Sequence, residues 1–435
     1  MSSVETGFVG LACVIVLLAI RVPIGIALGL VSVAGIWHIR GLDVALGLLE
    51  DAPFDFAASW ELSAIPMFVL MGSIAFHAGL SGTLFRAARL WLAGLPGGLA
   101  IASNFACAAF AAASGSSAAT AAAMGRISIP EMLQAGYDKG LATGVVASAG
   151  TLGTMIPPSI LFVLYGIFAE TSVTKLLIAG ILPGILTAVI YAMMIAARCY
   201  LRPELGPSVR EEATFAERIR VLAGVWPLIV LIAGIIGGLM AGVVTPTEAG
   251  GFGAFLALLI AVAQGRLSWV VLRASVVEST ATTARLLFVA LGAILLTKFL
   301  ALSGVPTYLG NAMGAWALDP LLLVVGTSLI YLVLGMFLDP LGLMLITLPV
   351  ILPMFEALNL DLIWLGVIVV KYLEIGLLTP PVGFNVYVIK AVVGDTVDLE
   401  TIFRGVGWFL VCEVFIMSLL IGFPQISLYL PGLMD

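Results

Sequence analysis

The sequence of 435 residues has little charge and few histidines. Charged side chains make up 10% of the chain, less than half the share in an ordinary soluble domain, and no polar segment is long enough to form a soluble domain. The modest net charge of −6 gives no indication of a nucleic acid partner. Neither an HExxH nor a GxSxG motif occurs, and His38 and His77 lie near the ends of apolar runs. A membrane-embedded enzyme is therefore disfavoured.

Cysteine is also scarce. The four cysteines lie in or beside apolar runs and show neither a CxxC pair nor the spacing of metal ligands: Cys13, Cys107, Cys199 and Cys412. We interpret them as small buried hydrophobic residues.

Apolar residues are what the sequence has in abundance. They make up 62% of the chain, the mean hydropathy is +1.19, and apolar runs near 20 residues recur along the whole length. This composition predicts an all-α polytopic protein that crosses a lipid bilayer many times. The first apolar run follows "MSSVETG", which has no basic segment, so we interpret it as a first membrane helix rather than a cleaved signal.

The chain repeats itself at an offset of 223 residues. Four prolines have counterparts at this offset: Pro23, Pro130, Pro157 and Pro158 recur as Pro246, Pro353, Pro380 and Pro381. The sequence therefore predicts two copies of one unit, residues 1–200 and 221–435, joined by a polar cytoplasmic linker at 201–220.

Each unit is predicted to hold about five membrane crossings and one re-entrant hairpin. The predicted crossings are 7–20, 23–39, 62–80, 140–168 and 174–197, and then 223–241, 245–264, 281–300, 362–390 and 405–430. The hairpins are predicted at 97–130, with a tip at Ser114–Ser117, and at 320–353, with a tip near "GMFLDP". Because five is odd, the second unit should be inverted in the membrane, as in many secondary transporters.

The distribution of basic residues favours one orientation. With both termini outside, nearly all Lys and Arg residues of the loops lie in the cytoplasm, including Arg202 and Arg210 of the linker and Arg198 just before it. Only Arg40 and Lys175 then lie outside.

Adjacent prolines interrupt the fourth predicted crossing of each unit. Proline removes a backbone donor, and broken backbone is tolerated at membrane depth only where protein or a polar cavity covers it. We predict that two hairpin tips and two broken helices, at 140–168 and 362–390, meet near the middle of the bilayer. Broken helix ends expose carbonyl groups that suit Na⁺ and N–H groups that suit an anion.

The predicted site is rich in oxygen and has neither thiol nor imidazole, which favours Na⁺ over a transition metal. The residues from the first unit are Ser114, Gly115, Ser116, Ser117, Gly150, Gly153, Thr154 and Ser159. Those from the second unit are Asp339, Pro340, Gly376, Thr379, Gly383 and Asn385.

Other polar residues in or near the crossings allow two interpretations each. Lys298 could meet a substrate carboxylate or anchor its helix at the interface. Lys371 and Glu374 are spaced i, i+3, which favours a structural ion pair over a role in transport. Glu248 could cap a helix or face a partner, and the two histidines could relay protons, although an interfacial position is favoured.

Six stretches together resemble the large membrane subunit of tripartite ATP-independent periplasmic (TRAP) transporters, over essentially the whole chain. They are "SGSSAATAAAMGRISIPEML", "GYDKGLATGVVASAGTLGTMIPPSILFVLYG", "AGILPGIL", "VVTPTEAGGFGA", "GMFLDPLGLMLITLPVILP" and "GLLTPPVGFNVYVIK".

The resemblance implies an elevator-type fold with scaffold and transport domains, and Na⁺-coupled import of an organic acid, usually a carboxylate, across a bacterial inner membrane. It also implies two partners, a periplasmic substrate-binding protein and a small four-helix membrane subunit, which we expect as a separate chain. It places ion sites at Ser114–Ser117 with Gly153–Pro157, and at Asp339 with Thr379–Pro380. The substrate is then expected among Ser114, Ser159, Lys298, Asp339 and Asn385. The alternative is a self-sufficient Na⁺/dicarboxylate symporter of related elevator architecture, which "SGSS" and the "IPP" and "TPP" motifs disfavour.

Overall fold

A computed structural model describes residues 2–209, 213–315 and 319–434, and all regular structure within these ranges is helical. Arg210 of the predicted linker lies outside the described residues. The helices of the first half are α1 (Ser3–Ala19), α2 (Ile24–Arg40), α3 (Leu42–Ala58), α4 (Ala64–His77), α5 (Leu80–Leu92), α6 (Gly98–Ser114), α7 (Ser117–Gln134), α8 (Lys139–Gly150), α9 (Ile160–Phe168), α10 (Val173–Ala179) and α11 (Ile181–Leu201).

The second half follows the short 3-10 turn Pro203–Leu205. Its helices are α12 (Phe215–Ala223), α13 (Trp226–Met240), α14 (Pro246–Ala263), α15 (Trp269–Ser303), α16 (Val305–Ala315), α17 (Pro320–Gly335), α18 (Pro340–Ala357), α19 (Leu362–Gly376), α20 (Phe384–Val393), α21 (Leu399–Gly422) and α22 (Gln425–Leu428). Further 3-10 turns are Trp60–Ser63, Thr151–Gly153, Gly394–Thr396 and Pro431–Leu433.

Helix lengths agree with a chain that spans a membrane many times. In the described ranges, six helical segments are long and apolar enough to cross a bilayer, or seven if the bent pair α12–α13 is one span. The six are Trp60–His77, Val173–Leu201, Pro246–Ala263, Trp269–Ser303, Pro340–Ala357 and Leu399–Gly422. Because α18 is a predicted hairpin arm and yet has the length of a span, the inverted arrangement and the elevator division stay predictions.

Several element boundaries differ from the sequence prediction. Helix α15 has 35 residues, whereas a crossing was predicted only over 281–300, because "RASVVESTATTAR" is too polar to count as membrane helix. Helices α3 and α5 were not predicted, because neither is a continuous apolar run. Acidic residues interrupt α3, and α5 combines apolar with basic residues. Helix α12, which packs on α5, begins inside the predicted polar linker.

The first arms of the two broken helices lie at the centre of the molecule. Every residue from Gly140 to Gly150 in α8 and from Trp364 to Gly376 in α19 is buried by the protein itself. Helix α8 packs on α6, α7 and α21, and α19 packs on α17, α18 and α21. Polar groups in these two arms therefore have protein neighbours on all sides.

Small residues allow α8 and α21 to approach closely. A Cβ atom added to Gly405 of α21 would lie 1.9 Å from the carbonyl oxygen of Gly140, and one added to Gly144 would lie 2.5 Å from the carbonyl carbon of Gly405. Contact of this kind between backbones is the usual role of glycine in membrane helix pairs.

Two predictions about single residues have clear outcomes. Cys107, Cys199 and Cys412 are buried as expected, but Cys13 is exposed on α1, so the interpretation of all four as buried was wrong at that position. Glu248 caps a helix: the Thr245 hydroxyl accepts the Glu248 N–H at 3.3 Å, and the Glu248 carboxylate accepts the Thr245 N–H at 2.8 Å.

Candidate functional site

The predicted tip of the first hairpin is a sharp turn between α6 and α7. Helix α6 ends at Ser114, and Gly115 has φ +60°, a left-handed conformation that glycine adopts without strain. Half-buried Ser116 is the N-cap of α7, and its hydroxyl accepts the Ala119 N–H at 3.4 Å. The Ser114 hydroxyl bonds to that of Thr120 at 2.6 Å, which orients it toward α7.

This tip packs directly on the break in the first broken helix. The Ser117 hydroxyl lies 3.2 Å from the Thr151 carbonyl oxygen and 3.3 Å from the Thr154 hydroxyl. A Cβ atom on Gly153 would lie 2.7 Å from the Ser116 carbonyl group, so only glycine allows this approach. The structure thus brings Ser114–Ser117 and Gly153–Pro157 together, as the sequence predicts.

The broken segment itself is enclosed. Helix α8 ends at Gly150, a 3-10 turn follows, and α9 begins at Ile160 after the cis peptide bond Pro157–Pro158. Buried Ser159 is the N-cap of α9: its hydroxyl accepts the Phe162 N–H at 3.3 Å and donates to the Thr154 carbonyl oxygen. Ser159 therefore stabilises the break, and its hydrogen bonds go to Thr154 and Phe162 rather than to Ser114.

The second hairpin has its break between α17 and α18. Asp339 is the N-cap of α18, and its carboxylate accepts the N–H groups of Leu341 at 3.0 Å and Gly342 at 3.3 Å. The Asp339 side chain is exposed, so it is not enclosed in the way Ser117 is. An Asp followed by Pro at the first helical position is a sequence signal for this cap. The sequence prediction assigned Asp339 only to the ion and substrate sites and did not include the cap.

The second broken helix meets the second hairpin through two glycines. Helix α19 ends at Gly376, where an added Cβ would lie 2.8 Å from the Gly335 carbonyl oxygen at the end of α17. Thr379 donates to the Ile375 carbonyl oxygen at 2.7 Å, and Pro380 is exposed. Pro380–Pro381, like its counterpart, is a cis peptide bond. The second break is therefore exposed at Pro380 and Pro381, whereas the corresponding Pro157 and Pro158 of the first break are buried.

Asn385 joins the second broken helix to the first half of the chain. Its side-chain amide donates to the Ala147 carbonyl oxygen of α8 at 3.2 Å, while its buried Oδ1 has no hydrogen-bond partner in the part of the chain that the structure describes. Gly383 begins this arm with φ +56°.

Glu374 connects the two breaks. Its Oε1 atom lies 3.0 Å from the Thr154 hydroxyl, and it precedes Gly376 by two residues. The four predicted breaks therefore form one chain of contacts, from Ser117 to Thr154, then to Glu374 and Gly376, and finally to Gly335. The sequence singled out Glu374 only as a partner of Lys371.

The predicted ion pair between Lys371 and Glu374 is confirmed, and it is part of a larger buried network. The Lys371 Nζ atom lies 2.9 Å from Glu374 Oε2 and 2.9 Å from Glu413 Oε1, with all three side chains buried. The Tyr191 hydroxyl also donates to Glu413 Oε1. Buried charges are usually paired and hydrogen-bonded, and among these three side chains only Glu413 Oε2 has no hydrogen-bond partner within the described ranges.

Other predicted site residues lie apart from this chain of contacts. Lys298 is half-buried on α15 and makes no hydrogen bond or ion pair within the described residues. A cavity of about 540 Å³ lies between the turn Trp60–Ser63, the α9–α10 connection and the start of α14, and its lining includes Glu61 and Glu170. The predicted substrate residues are not among those lining it.

The donor set at the first break fits a hard monovalent cation. Hydroxyl and backbone oxygens converge there, and the described residues hold no cluster of three or more His, Cys, Asp or Glu side chains that could bind a transition metal. Ser114, Ser116, Ser117 and Thr154 are the side chains that would hold such an ion.

Comparison with known proteins identifies the family. The model of the family described as "Tripartite ATP-independent periplasmic transporter, DctM component" matches residues 11–426. The chain is 36% identical over 408 residues to the C4-dicarboxylate TRAP transporter large permease protein DctM of Pseudomonas aeruginosa, covering 90% of this chain and 93% of the relative. It is 31% identical over 376 residues to the sialic acid TRAP transporter large permease protein SiaM of Vibrio cholerae, covering 86% and 87%.

A third relative and a solved structure extend the comparison. The isethionate TRAP transporter permease protein DctMQ of Oleidesulfovibrio alaskensis is 34% identical over 383 residues, which cover 88% of this chain and 60% of the relative. The crystal structure of the YdaH transporter of Alcanivorax borkumensis superposes with a TM-score of 0.62 at 16% identity, covering 89% and 90%, a likeness that shows the fold alone. The apolar helices, the paired breaks and these matches lead to one conclusion: the chain belongs to the DctM component family of tripartite ATP-independent periplasmic transporters, as a large multi-span permease subunit.

Proposed function

We propose that this permease subunit imports an organic acid across a bacterial inner membrane and couples the import to Na⁺. The observation that carries the proposal is the continuous contact chain through the four breaks, Ser117–Thr154–Glu374/Gly376–Gly335. Broken helices that meet within the protein are how secondary transporters form ion sites, because helix ends leave backbone groups free for ligands.

The first break is the proposed Na⁺ site. The hydroxyl groups of Ser114, Ser117 and Thr154 are buried and neutral, and oxygen atoms are the ligands that suit a hard cation such as Na⁺. The second break, with Asp339 and Thr379, is proposed as a second ion site that is open in this conformation.

The substrate is proposed to be an organic anion, because the relatives are named for C4-dicarboxylate, sialic acid and isethionate. Its binding neutralises the charge of bound Na⁺, which lowers the cost of moving charged groups through lipid. A mobile transport domain would carry both past a fixed scaffold, with both termini in the periplasm. The partners are a small four-helix membrane subunit and a periplasmic binding protein, which selects the substrate first.

Reconstituted uptake tests this proposal. Proteoliposomes would hold this chain with its small partner, an inward Na⁺ gradient would be imposed, and radiolabelled C4-dicarboxylate, sialic acid and isethionate would be offered with and without their binding proteins. We expect uptake only when both the Na⁺ gradient and one binding protein are present.

Two other outcomes would contradict parts of the proposal. Uptake with Na⁺ alone would support the self-sufficient symporter. Uptake that follows a proton gradient and ignores Na⁺ would exclude Na⁺ coupling, while leaving the family assignment intact.

A further inference from the structure

The side chain of Thr154 has one proton and two acceptors within reach. The Thr151 carbonyl oxygen lies 2.9 Å from the Thr154 hydroxyl, and Glu374 Oε1 lies 3.0 Å from it. Hydrogen bonds to a charged acceptor are stronger than those to a neutral one. The Thr154 hydroxyl therefore donates its hydrogen bond to the carboxylate of Glu374. The Thr154 oxygen then presents its lone pairs toward the hairpin tip, where it accepts the Ser117 hydroxyl at 3.3 Å.

The remaining members of the network hold the Glu374 carboxylate in one orientation. Lys371 binds Oε2, which leaves Oε1 for Thr154. Glu413 of α21 holds Lys371 from the opposite side, and Tyr191 of α11 donates to Glu413. All of these side chains are buried, so water does not compete for their hydrogen bonds.

We propose that Glu374 is a positioning residue for the coupling ion. Its carboxylate accepts the hydrogen bond of the Thr154 hydroxyl and so orients the Thr154 oxygen toward a cation at the first hairpin tip. Lys371, Glu413 and Tyr191 keep the carboxylate in place. This inference rests on the proposed Na⁺ coupling. It links α11, α19 and α21 to an ion site that none of them lines directly.

The network also gives the two halves of the chain a shared element at this site. Thr154 and Tyr191 come from the first half, and Lys371, Glu374 and Glu413 come from the second. A change in the position of α19 relative to the first break would remove the acceptor from Thr154. Ion affinity and helix position are therefore coupled through one hydrogen bond.

The test compares the Na⁺ dependence of uptake among full-length variants with both partners present. Thr154→Val keeps the shape of the side chain and removes the hydroxyl, and Glu374→Gln removes the charge that orients it. We expect each to raise the Na⁺ concentration for half-maximal uptake roughly tenfold or more, since bonds to charged groups are worth at least this factor. Thr154→Ser keeps the hydroxyl, so it should need a lower Na⁺ concentration for half-maximal uptake than Thr154→Val does.

The double variant separates positioning from general damage. Because both changes break the same interaction, the double variant Thr154→Val with Glu374→Gln should be little worse than the more impaired single variant. Its increase in half-saturating Na⁺ concentration should be smaller than the product of the two single increases. Thr143→Val is the control, since it removes a buried hydroxyl of α8 that bonds only to backbone oxygens of its own helix. It should leave the Na⁺ dependence unchanged.

Three results discriminate among the possibilities. Independent, multiplicative effects, or wild-type Na⁺ dependence in Thr154→Val, would overturn the positioning role even if Glu374→Gln failed to fold. Lower maximal uptake at an unchanged half-saturating Na⁺ concentration would show a structural role instead, and would overturn it as well. Uptake by the wild-type protein that does not depend on Na⁺ would refute the proposed function itself.

Discussion

At the scale of single residues, the site depends on polar side chains whose partners come from distant parts of the chain. The sequence predicted Lys371 with Glu374, because an i, i+3 spacing brings two side chains together on any helix. It could not predict Glu413, 42 residues further along, or the bond from Thr154, 220 residues away. Such partners depend on how helices pack, and no local pattern encodes that.

Asp339 has two possible roles, which a substitution can separate. Asparagine caps helices about as well as aspartate, so Asp339→Asn should keep α18 intact while it removes the charge. If Asp339 binds Na⁺, this variant should need a higher Na⁺ concentration for half-maximal uptake. The matched control is Asp361→Asn, because Asp361 caps α19 with the same pair of bonds, at 2.8 and 3.0 Å. Equal, wild-type uptake in both variants would leave Asp339 with capping alone.

Lys371 is expected to be essential for stability. In Lys371→Met, the buried carboxylates of Glu374 and Glu413 would lose the cation that both of them bind, and breaking a buried pair in this way typically costs about 3–5 kcal/mol. Thermal unfolding of the purified protein in detergent should show a large fall in melting temperature.

Lys298→Met is the control for Lys371→Met, because Lys298 is half-buried without an ion-pair partner among the described residues. Its melting temperature should change little. A loss of uptake by Lys298→Met at unchanged stability would assign Lys298 to the substrate, as the sequence suggested. Similar melting temperatures for both variants would contradict the importance of the buried network.

At the scale of helices, the sequence predicted the interruptions better than the helices around them. Proline and glycine act locally, so "SGSS" and the paired prolines indicated turns at 114–117 and 157–158 that the structure contains. Helices α3 and α5 were missed because a search for long apolar runs passes over segments that charges interrupt: α3 contains four acidic residues and α5 is amphipathic. The depth of each hairpin in the bilayer could not be read from composition, since α18 is as long as a crossing.

The contact between α8 and α21 gives a prediction at this scale. Gly405→Ala would place a methyl group 1.9 Å from a backbone oxygen of α8, and backbone cannot move aside as a flexible side chain can. Overpacking of this kind costs about 1–3 kcal/mol, so the melting temperature should fall. Gly407→Ala on the same helix is the control, because nothing lies within 4 Å of its added Cβ. Comparable stability of the two variants would refute the close helix contact.

At the scale of the whole molecule, the two halves repeat their breaks but not their surroundings. The first break is enclosed, whereas Pro380, Val382, Phe384 and Phe337 around the second one are exposed. Prolines at a constant offset predicted a break at corresponding positions of the two halves, and each half has a cis Pro–Pro bond there. The difference in exposure between the two breaks could not be predicted from the sequence, because it depends on which helices cover each break after folding.

The orientation in the membrane can be tested by labelling. In a variant in which Cys13, Cys107, Cys199 and Cys412 are replaced by serine, single cysteines would be introduced at exposed positions as Asp55→Cys or Glu204→Cys. A maleimide that does not cross membranes should label the cysteine at 55 in intact spheroplasts, and the cysteine at 204 only after lysis. The opposite pattern would reverse the predicted topology and place both termini in the cytoplasm.

The buried network also bears on how the protein is made. Lys371 and Glu374 are synthesised before Glu413, which follows Lys371 by 42 residues, and each charge is costly in lipid. Until α21 arrives, Lys371 lacks one of its two carboxylates, and Tyr191 of the first half lacks its acceptor. The first break therefore reaches its full set of contacts only near the end of translation. Nascent chains stalled before α21 would keep this centre incomplete.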